Sequence, residues 1–211
     1  MEPGANVIEL TVNEAIERAA SLADTGRALL GIAGCPGAGK STLSDAITYR
    51  VPSSVILPMD GFHMLNEDLV RLGRRDRKGA PDTFDAAAYL AMLDRVRRQG
   101  SEVVSAPRYD RASSAPVPDA IAVAPDVDLV IAEGNYLLVD QPPWTAVRAL
   151  LDEVWFVEVD DAIRIPRLVA RHIAFGKSAD EAREWVMRSD EANAAVVAAT
   201  RDRADIVVRL A

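Results

Sequence analysis

One cysteine and two histidines are all that the 211 residues offer as thiol or imidazole ligands. That excludes a disulfide framework and a structural zinc cluster. Aromatic residues make up only 5% of the chain, too few for the aromatic-basic surfaces that grip single-stranded nucleic acid. Positive charge is also short. Against 32 Asp and Glu stand 24 Lys and Arg, a net charge of −8, the wrong sign for a protein that neutralises nucleic-acid phosphates. No apolar run approaches the roughly 18 residues of a membrane span. The opening MEPGANVIELTVNEA carries acids where a signal peptide needs a basic region. A cytoplasmic protein with neither nucleic-acid nor membrane partner is expected. What the chain does have, 49% hydrophobic and 27% charged residues, is enough for a core. Its length suits one domain over residues 1–211.

Short apolar runs alternate with longer amphipathic stretches, the pattern of a parallel sheet covered by helices. Strands are expected at residues 29–33, 54–57, 127–132, 154–159 and 206–209, a mostly parallel sheet of five, with 102–105 as a further candidate. Helices are expected at 12–22, 40–50, 86–98, 144–152, 162–175 and 179–200. Tyr89, Leu90, Leu93 and Val96 recur at helical spacing behind Asp85 as N-cap. Residues 66–83, dense in Arg and Gly, and 107–125, rich in Ala, Pro and Ser, read as long loops of the kind that carry function.

The segment Gly34 to Thr42, GCPGAGKST, matches G-x-x-x-x-G-K-[ST] in full, after an apolar run and before a helical pattern. Gly34, Gly37 and Gly39 allow a tight backbone turn, with Pro36 and Ala38 between them, so that successive N–H groups converge on phosphate oxygens. The following helix turns its positive end toward the same anion. In this arrangement Lys40 bridges the β- and γ-phosphates, Ser41 ligates Mg²⁺, and Thr42 completes the cradle. The expected fold is therefore a three-layer α/β sandwich of the P-loop NTPase type, binding ATP with Mg²⁺. Cys35, inside the loop near a helix N-terminus, is expected to be sensitive to oxidation but has no catalytic partner.

Ligands of open parallel sheets sit beyond the carboxyl ends of the strands. Asp60, in LPMDGFH, and Glu133, in LVIAEGNYLL, both fall there. Phosphoryl transfer needs one carboxylate beside the attacking hydroxyl and another near the metal. Asp60 is assigned as the base and Glu133 as the metal-side acid, with Asp60 also a candidate metal ligand. For each, the plainer alternative is a strand-end turn residue. Glu133 and its neighbour Asn135 also count as acceptor-side candidates. Phe62 and His63 follow the base and are candidates to wall the acceptor pocket, with a structural role for the histidine as the equal alternative.

Two arginine-rich segments stand out in an acidic chain. Arg71, Arg74, Arg75, Arg77 and Lys78 crowd around a lone Asp76; they form either a solvated loop or an electropositive rim for an anionic substrate. In RIPRLVARH, Arg164, Arg167 and Arg171 stand at i, i+3 and i+7. A helix would present them together to the transferring phosphoryl group, with Arg164 and Arg167 catalytic and Arg171 on the nucleotide. Gly176 and the following KSADEA read as helix stop, N-cap and restart, which suits a hinged lid at about 162–190. His172 is expected to face solvent, and Trp185 and Met187 to pack. Asn193 is a candidate to reach the active site, although nothing in the spacing demands it.

Taken together, these motifs resemble the uridine kinase, phosphoribulokinase and pantothenate kinase group over nearly the whole length. GCPGAGKS is similar to the group's phosphate loop, and MDGFH to its strand-end Asp, with DGF in the pantothenate kinase form. APDTFD resembles the HPDAFD stretch of uridine kinases, PRYD their PxYD substrate segment, and ATRDRADIVV the strand that closes their sheet beside the adenine. MDGFH with RKGAPDTFD also resembles a subgroup labelled fructose-transport-system or nucleoside/nucleotide kinases. The resemblance implies an ATP-dependent kinase acting on a hydroxyl of a sugar, sugar phosphate, pantothenate-like molecule or nucleoside. It places Tyr109, Asp110 and Arg111 at the acceptor pocket and suggests a homodimer. Where uridine kinases carry the Asp that holds ribose hydroxyls, this chain has Gly79, preceded by Lys78. That favours an anionic acceptor over a neutral ribonucleoside. The rival is a regulatory nucleotide-binding ATPase without an acceptor. The missing NKxD motif argues against a GTPase, and the MDGFH, APDTFD and PRYD cluster against a switch.

Overall fold

ALLGIAG is apolar at every position, as a strand covered on both faces must be, and it forms the middle of the main sheet. The computed structural model describes residues 7–210; residues 1–6, with Glu2, the first acid of the opening, lie outside them. Among the described residues the strands are β1 (Ile8–Leu10), β2 (Ala28–Gly34), β3 (Ser54–Pro58), β4 (Val104–Asp110), β5 (Ala115–Val123), β6 (Leu129–Glu133), β7 (Glu153–Glu158) and β8 (Ile206–Arg209). Six of them make one sheet in the order β1-β8-β7-β2-β6-β3, parallel at every pairing. The expected five strands are all present. The sixth, β1, is three residues long and mostly exposed, too short to show a period. It forms the edge, so β8 lies one strand in and does not close the sheet.

The helices are α1 (Val12–Ala23), α2 (Lys40–Arg50), α3 (Asn66–Arg71), α4 (Ala86–Arg97), α5 (Trp144–Ala149), α6 (Asp161–Ala174), α7 (Ala179–Trp185) and α8 (Glu191–Ala198). Alternation along β2 divides the core in two. Leu30 and Ile32 pack with Ala15 and Ala19 of α1 and with Leu43 and Ile47 of α2. Leu29 and Ala33 face Tyr89 and Leu93 of α4 and Val147 of α5. Each such Leu, Ile or Val side chain taken from water contributes roughly 1.5–3 kcal/mol. Thr11 and Glu14 form a capping box on α1, and the Asp85 side chain accepts the Ala88 amide as the cap of α4.

Residues 107–125, expected as a loop, belong instead to an antiparallel hairpin of β4 and β5. Pro107, Pro116 and Pro118 disguise it, but a two-stranded hairpin is all edge and tolerates them. Its register slips between Ala106 and Arg108, at Pro107. The other expected loop, 66–83, holds α3 and two 3₁₀ turns. The stretch 179–200 is helical through residue 198 but not uniform: α7 runs into a π-helical turn, Val186–Asp190, and then into α8.

Candidate active site

Gly37 adopts φ +79, a left-handed value that favours glycine. A Cβ there would also press to 2.7 Å from Leu168 Cγ, so the phosphate loop is seated directly against α6. Lys40, the first residue of α2, is 9% exposed. Its Nζ donates to the Gly34 and Cys35 carbonyls at 3.0 and 3.1 Å and to Asn135 Oδ1 at 2.7 Å. Burial pushes the ammonium's pKa down, opposed by the nearby charges of Glu133 and Asp60. All its partners are neutral, so the charge is held in place without being cancelled. Ser41 Oγ donates to Glu133 Oε1 at 2.6 Å and Ser44 Oγ to Glu133 Oε2 at 3.1 Å. The β6 carboxylate is thereby oriented toward the hydroxyl at the start of α2. A hydroxyl and a carboxylate are hard oxygen donors, the kind Mg²⁺ uses when phosphates and water supply its other ligands.

From this loop a cleft of about 840 Å³ runs toward the hairpin, lined at its far end by Asp60, His63, Lys78, Tyr109 and Arg111. Asp60 sits in the 3₁₀ turn that ends β3, and Arg111 Nη2 lies 3.3 Å from its Oδ2. A Cβ on Gly61 would run into the Pro107 carbonyl; glycine at this position lets the hairpin cross over the turn. His63 hydrogen-bonds the Asp60 carbonyl through Nδ1 at 2.8 Å, with its ring 4.1 Å from Phe84 and 4.5 Å from Tyr109. Burial lowers its pKa and raises that of Tyr109. Lys78 Nζ bonds Asn66 Oδ1 and the Ser114 carbonyl and lies 5.2 Å above the Tyr109 ring. Arg167 and Arg171 face the same cleft, and burial lowers the Arg171 pKa.

A nucleotide cradle joined to a strand-end carboxylate is matched at the level of sequence. Residues 29–211 fit the model of the phosphoribulokinase / uridine kinase family. The chain belongs to that family. It is 35% identical over 195 residues to a Schizosaccharomyces pombe protein named "Putative uridine kinase C227.14", covering 87% of this chain and 83% of that one. It is 35% identical over 181 residues to the uncharacterized protein YggC of Escherichia coli, 83% and 74% of the two chains. The crystal structure of a "putative fructose transport system kinase" from Silicibacter sp. TM1040 superposes with a TM-score of 0.85 at 35% identity, covering 94% of this chain and 98% of that one. The protein is a P-loop kinase, an ATP-dependent phosphotransferase with an alcohol group as acceptor.

Not every expected residue of this kinase reaches the cleft. Arg164 is 3% exposed and points beneath the phosphate loop. There it pairs with Asp161 and Glu191, both at 2.7 Å, and donates to the Pro36 carbonyl at 3.3 Å. Only Arg167 and Arg171 of the expected trio line the cleft; Arg164 is a buried brace of the loop. Phe62 turns into the core, 5.0 Å from Tyr89, because the 3₁₀ turn sends Asp60 and Phe62 to different sides. Gly34 ends β2 and offers its carbonyl to Lys40, while Ala38 is buried and its amide bonds the Cys35 carbonyl. Burial raises the Cys35 thiol pKa, the reverse of an activated, oxidation-prone thiolate. Arg71 pairs with Asp68, and Arg74 and Arg77 with Asp82, so only Arg75 and Lys78 of the basic cluster line the cleft.

The cleft also takes in residues expected elsewhere. His172, expected at the solvent, lines it and lies 2.7 Å from Asp190 Oδ2 through Nε2. Trp185 lines it as well, with Lys177 Nζ 4.7 Å from its ring centroid. Met187, expected to pack, is 61% exposed. Asp190 and Asn193 face the cleft because the π turn shifts the helical phase, and that shift has no signature in residue type. No helix among the described residues is long and apolar enough to cross a membrane.

Proposed function

We propose that this kinase transfers the γ-phosphoryl group of ATP to a hydroxyl of a small metabolite that carries a phosphate or carboxylate group. What carries the reading is the placement of Asp60 across the cleft from Lys40 and Ser41, with Arg111 on one of its oxygens. Asp60 Oδ1, free of the Arg111 contact, accepts the proton of the attacking hydroxyl, and Arg111 holds the other oxygen in place. Lys40, the loop amides, Arg167 and Arg171 stabilise the charge that spreads over the transferring group. Ser41 would ligate Mg²⁺ with Glu133 beside it; when bound, the ion neutralises charge on the phosphates. Arg75 and Lys78 have no carboxylate partner among the described residues, so the acceptor end presents two positive charges to an anionic substituent. The helices from residue 162 to about 190 serve as the lid, hinged at Gly176, where φ is +96.

A coupled ADP-release assay with Mg-ATP tests this against uridine, cytidine, pantothenate, ribulose 5-phosphate, fructose, fructose phosphates and glycerate. Acceptor-dependent turnover should fall about 10²–10⁴-fold in Asp60→Asn, with ATP binding retained. ATP hydrolysis that no acceptor stimulates and Asp60→Asn leaves unchanged would instead indicate a regulatory ATPase.

A further inference from the structure

Asn193 is 7% exposed and lines the cleft, yet no described residue hydrogen-bonds its amide. A buried amide without a partner costs about 1–3 kcal/mol, and the fold leaves this one facing the cleft. Neither polar atom of the Asn193 amide is at once unpartnered and fully shut from solvent, so both open into the cavity. On the opposite wall, a Cβ built on Gly79 would stand 3.7 Å from Asn193 Nδ2. The amide thus covers the bare backbone beside Lys78.

Asp190 faces the same space. His172 takes its Oδ2, fixing the carboxylate and leaving Oδ1 without a protein partner among the described residues. The π turn Val186–Asp190 explains how these groups converge. In an uninterrupted α-helix, at about 100° per residue, Asp190 would sit about 140° and Asn193 about 80° around from Trp185. Absorbing one extra residue in the π turn moves them to about 40° and −20°, so all three share an arc of about 60°. Such turns recur at functional sites, and all three residues line this cleft.

We infer that Asp190 and Asn193 determine acceptor specificity by reading a hydroxyl beside the one that is phosphorylated. This deepens the kinase reading and rests on it. A fixed carboxylate oxygen accepts from a hydroxyl, and an amide both donates and accepts, so the pair fits an acceptor with at least two hydroxyls. An aliphatic acid with a single alcohol would leave both side chains desolvated and unpaired.

The test is binding to the full chain in the presence of a non-hydrolysable ATP analogue, using two matched pairs: D-glycerate against D-lactate, and ribose 5-phosphate against 2-deoxyribose 5-phosphate. In at least one pair the compound with the extra hydroxyl should bind about tenfold more tightly. Asn193→Ala, and separately the near-isosteric Asp190→Asn, should erase that preference while affinity for the ATP analogue stays within twofold. Asp190→Asn keeps the test open should Asn193→Ala fail to fold. No binding by any of the four, a preference that survives both variants, or a parallel loss of the ATP analogue would overturn the inference. Because binding is read without turnover, a kinase reading that failed through insensitivity to Asp60→Asn would show separately.

Discussion

The two ends of the cleft are built differently. The nucleotide end is a run of consecutive residues, Gly34 to Thr42, whose geometry is almost wholly local: a strand, a glycine turn and the first turn of a helix. The acceptor end is assembled from the β3 turn, the Arg75–Gly79 loop, the β4–β5 hairpin and the π turn, segments spread from Asp60 to Asn193. Local geometry fixes what every such enzyme must hold, a triphosphate. Long-range assembly leaves the acceptor pocket free to change one segment at a time, and there specificity resides.

Removing the charge at the local end should have an effect of the same order as Asp60→Asn at the other end. Lys40→Ala deletes a buried ammonium fixed by three neutral acceptors, and turnover should fall about 10²–10³-fold, the usual loss when one preorganised stabilising group is removed. Acceptor affinity, measured by titration calorimetry, should hardly change. A comparable loss of acceptor binding would mean that the two ends are not separable.

Next in size is Arg164. Its guanidinium lies under the phosphate loop, so Arg164→Leu strands Glu191 and loosens the Pro36 carbonyl. Removing one partner of a buried pair costs about 3–5 kcal/mol. The low end applies because Glu191 and Asp161 keep 25% and 68% side-chain exposure. A loss of about 3 kcal/mol corresponds to a Tm drop of roughly 6–12 °C for a chain of this length, with kcat changed far less than in Lys40→Ala. An unaltered Tm with collapsed turnover would return Arg164 to the catalytic machinery.

The same contrast governs what could be read from sequence. GCPGAGKST and the two strand-end acids were legible because each depends on a short pattern next to an apolar run. The central strands and α2 followed from the same signals. Arg164 was misplaced because helical spacing tells which residues share a face and not which neighbour that face meets. Phe62 was misplaced because a 3₁₀ turn parts neighbours that a loop description keeps together. The hairpin was hidden by its prolines, and the place of Asp190 in the cleft wall by one extra residue in a helical turn.

The smallest effect expected at the acceptor end is a pH dependence. Burial lowers the pKa of Lys78 below its ordinary 10.5, with a further push from Arg75. Its charge is therefore lost earlier than that of a surface lysine as pH rises. A guanidinium does not give up its proton in a protein, and burial raises the Tyr109 pKa. Only Lys78 on this wall should titrate on the alkaline side. The KM for an anionic acceptor such as D-glycerate should then climb several-fold as pH rises past the lowered Lys78 pKa, while the KM for ATP follows its own course. Lys78→Arg should flatten the profile, and Lys78→Met should raise the KM about tenfold below the Lys78 pKa and leave it independent of pH, as expected when a hydrogen bond to a charged group is lost. A wild-type profile that stays flat where Lys78→Met is also without effect would show that Lys78 serves only to fasten Asn66 and Ser114 together, and would shift the anionic contact to Arg75 alone.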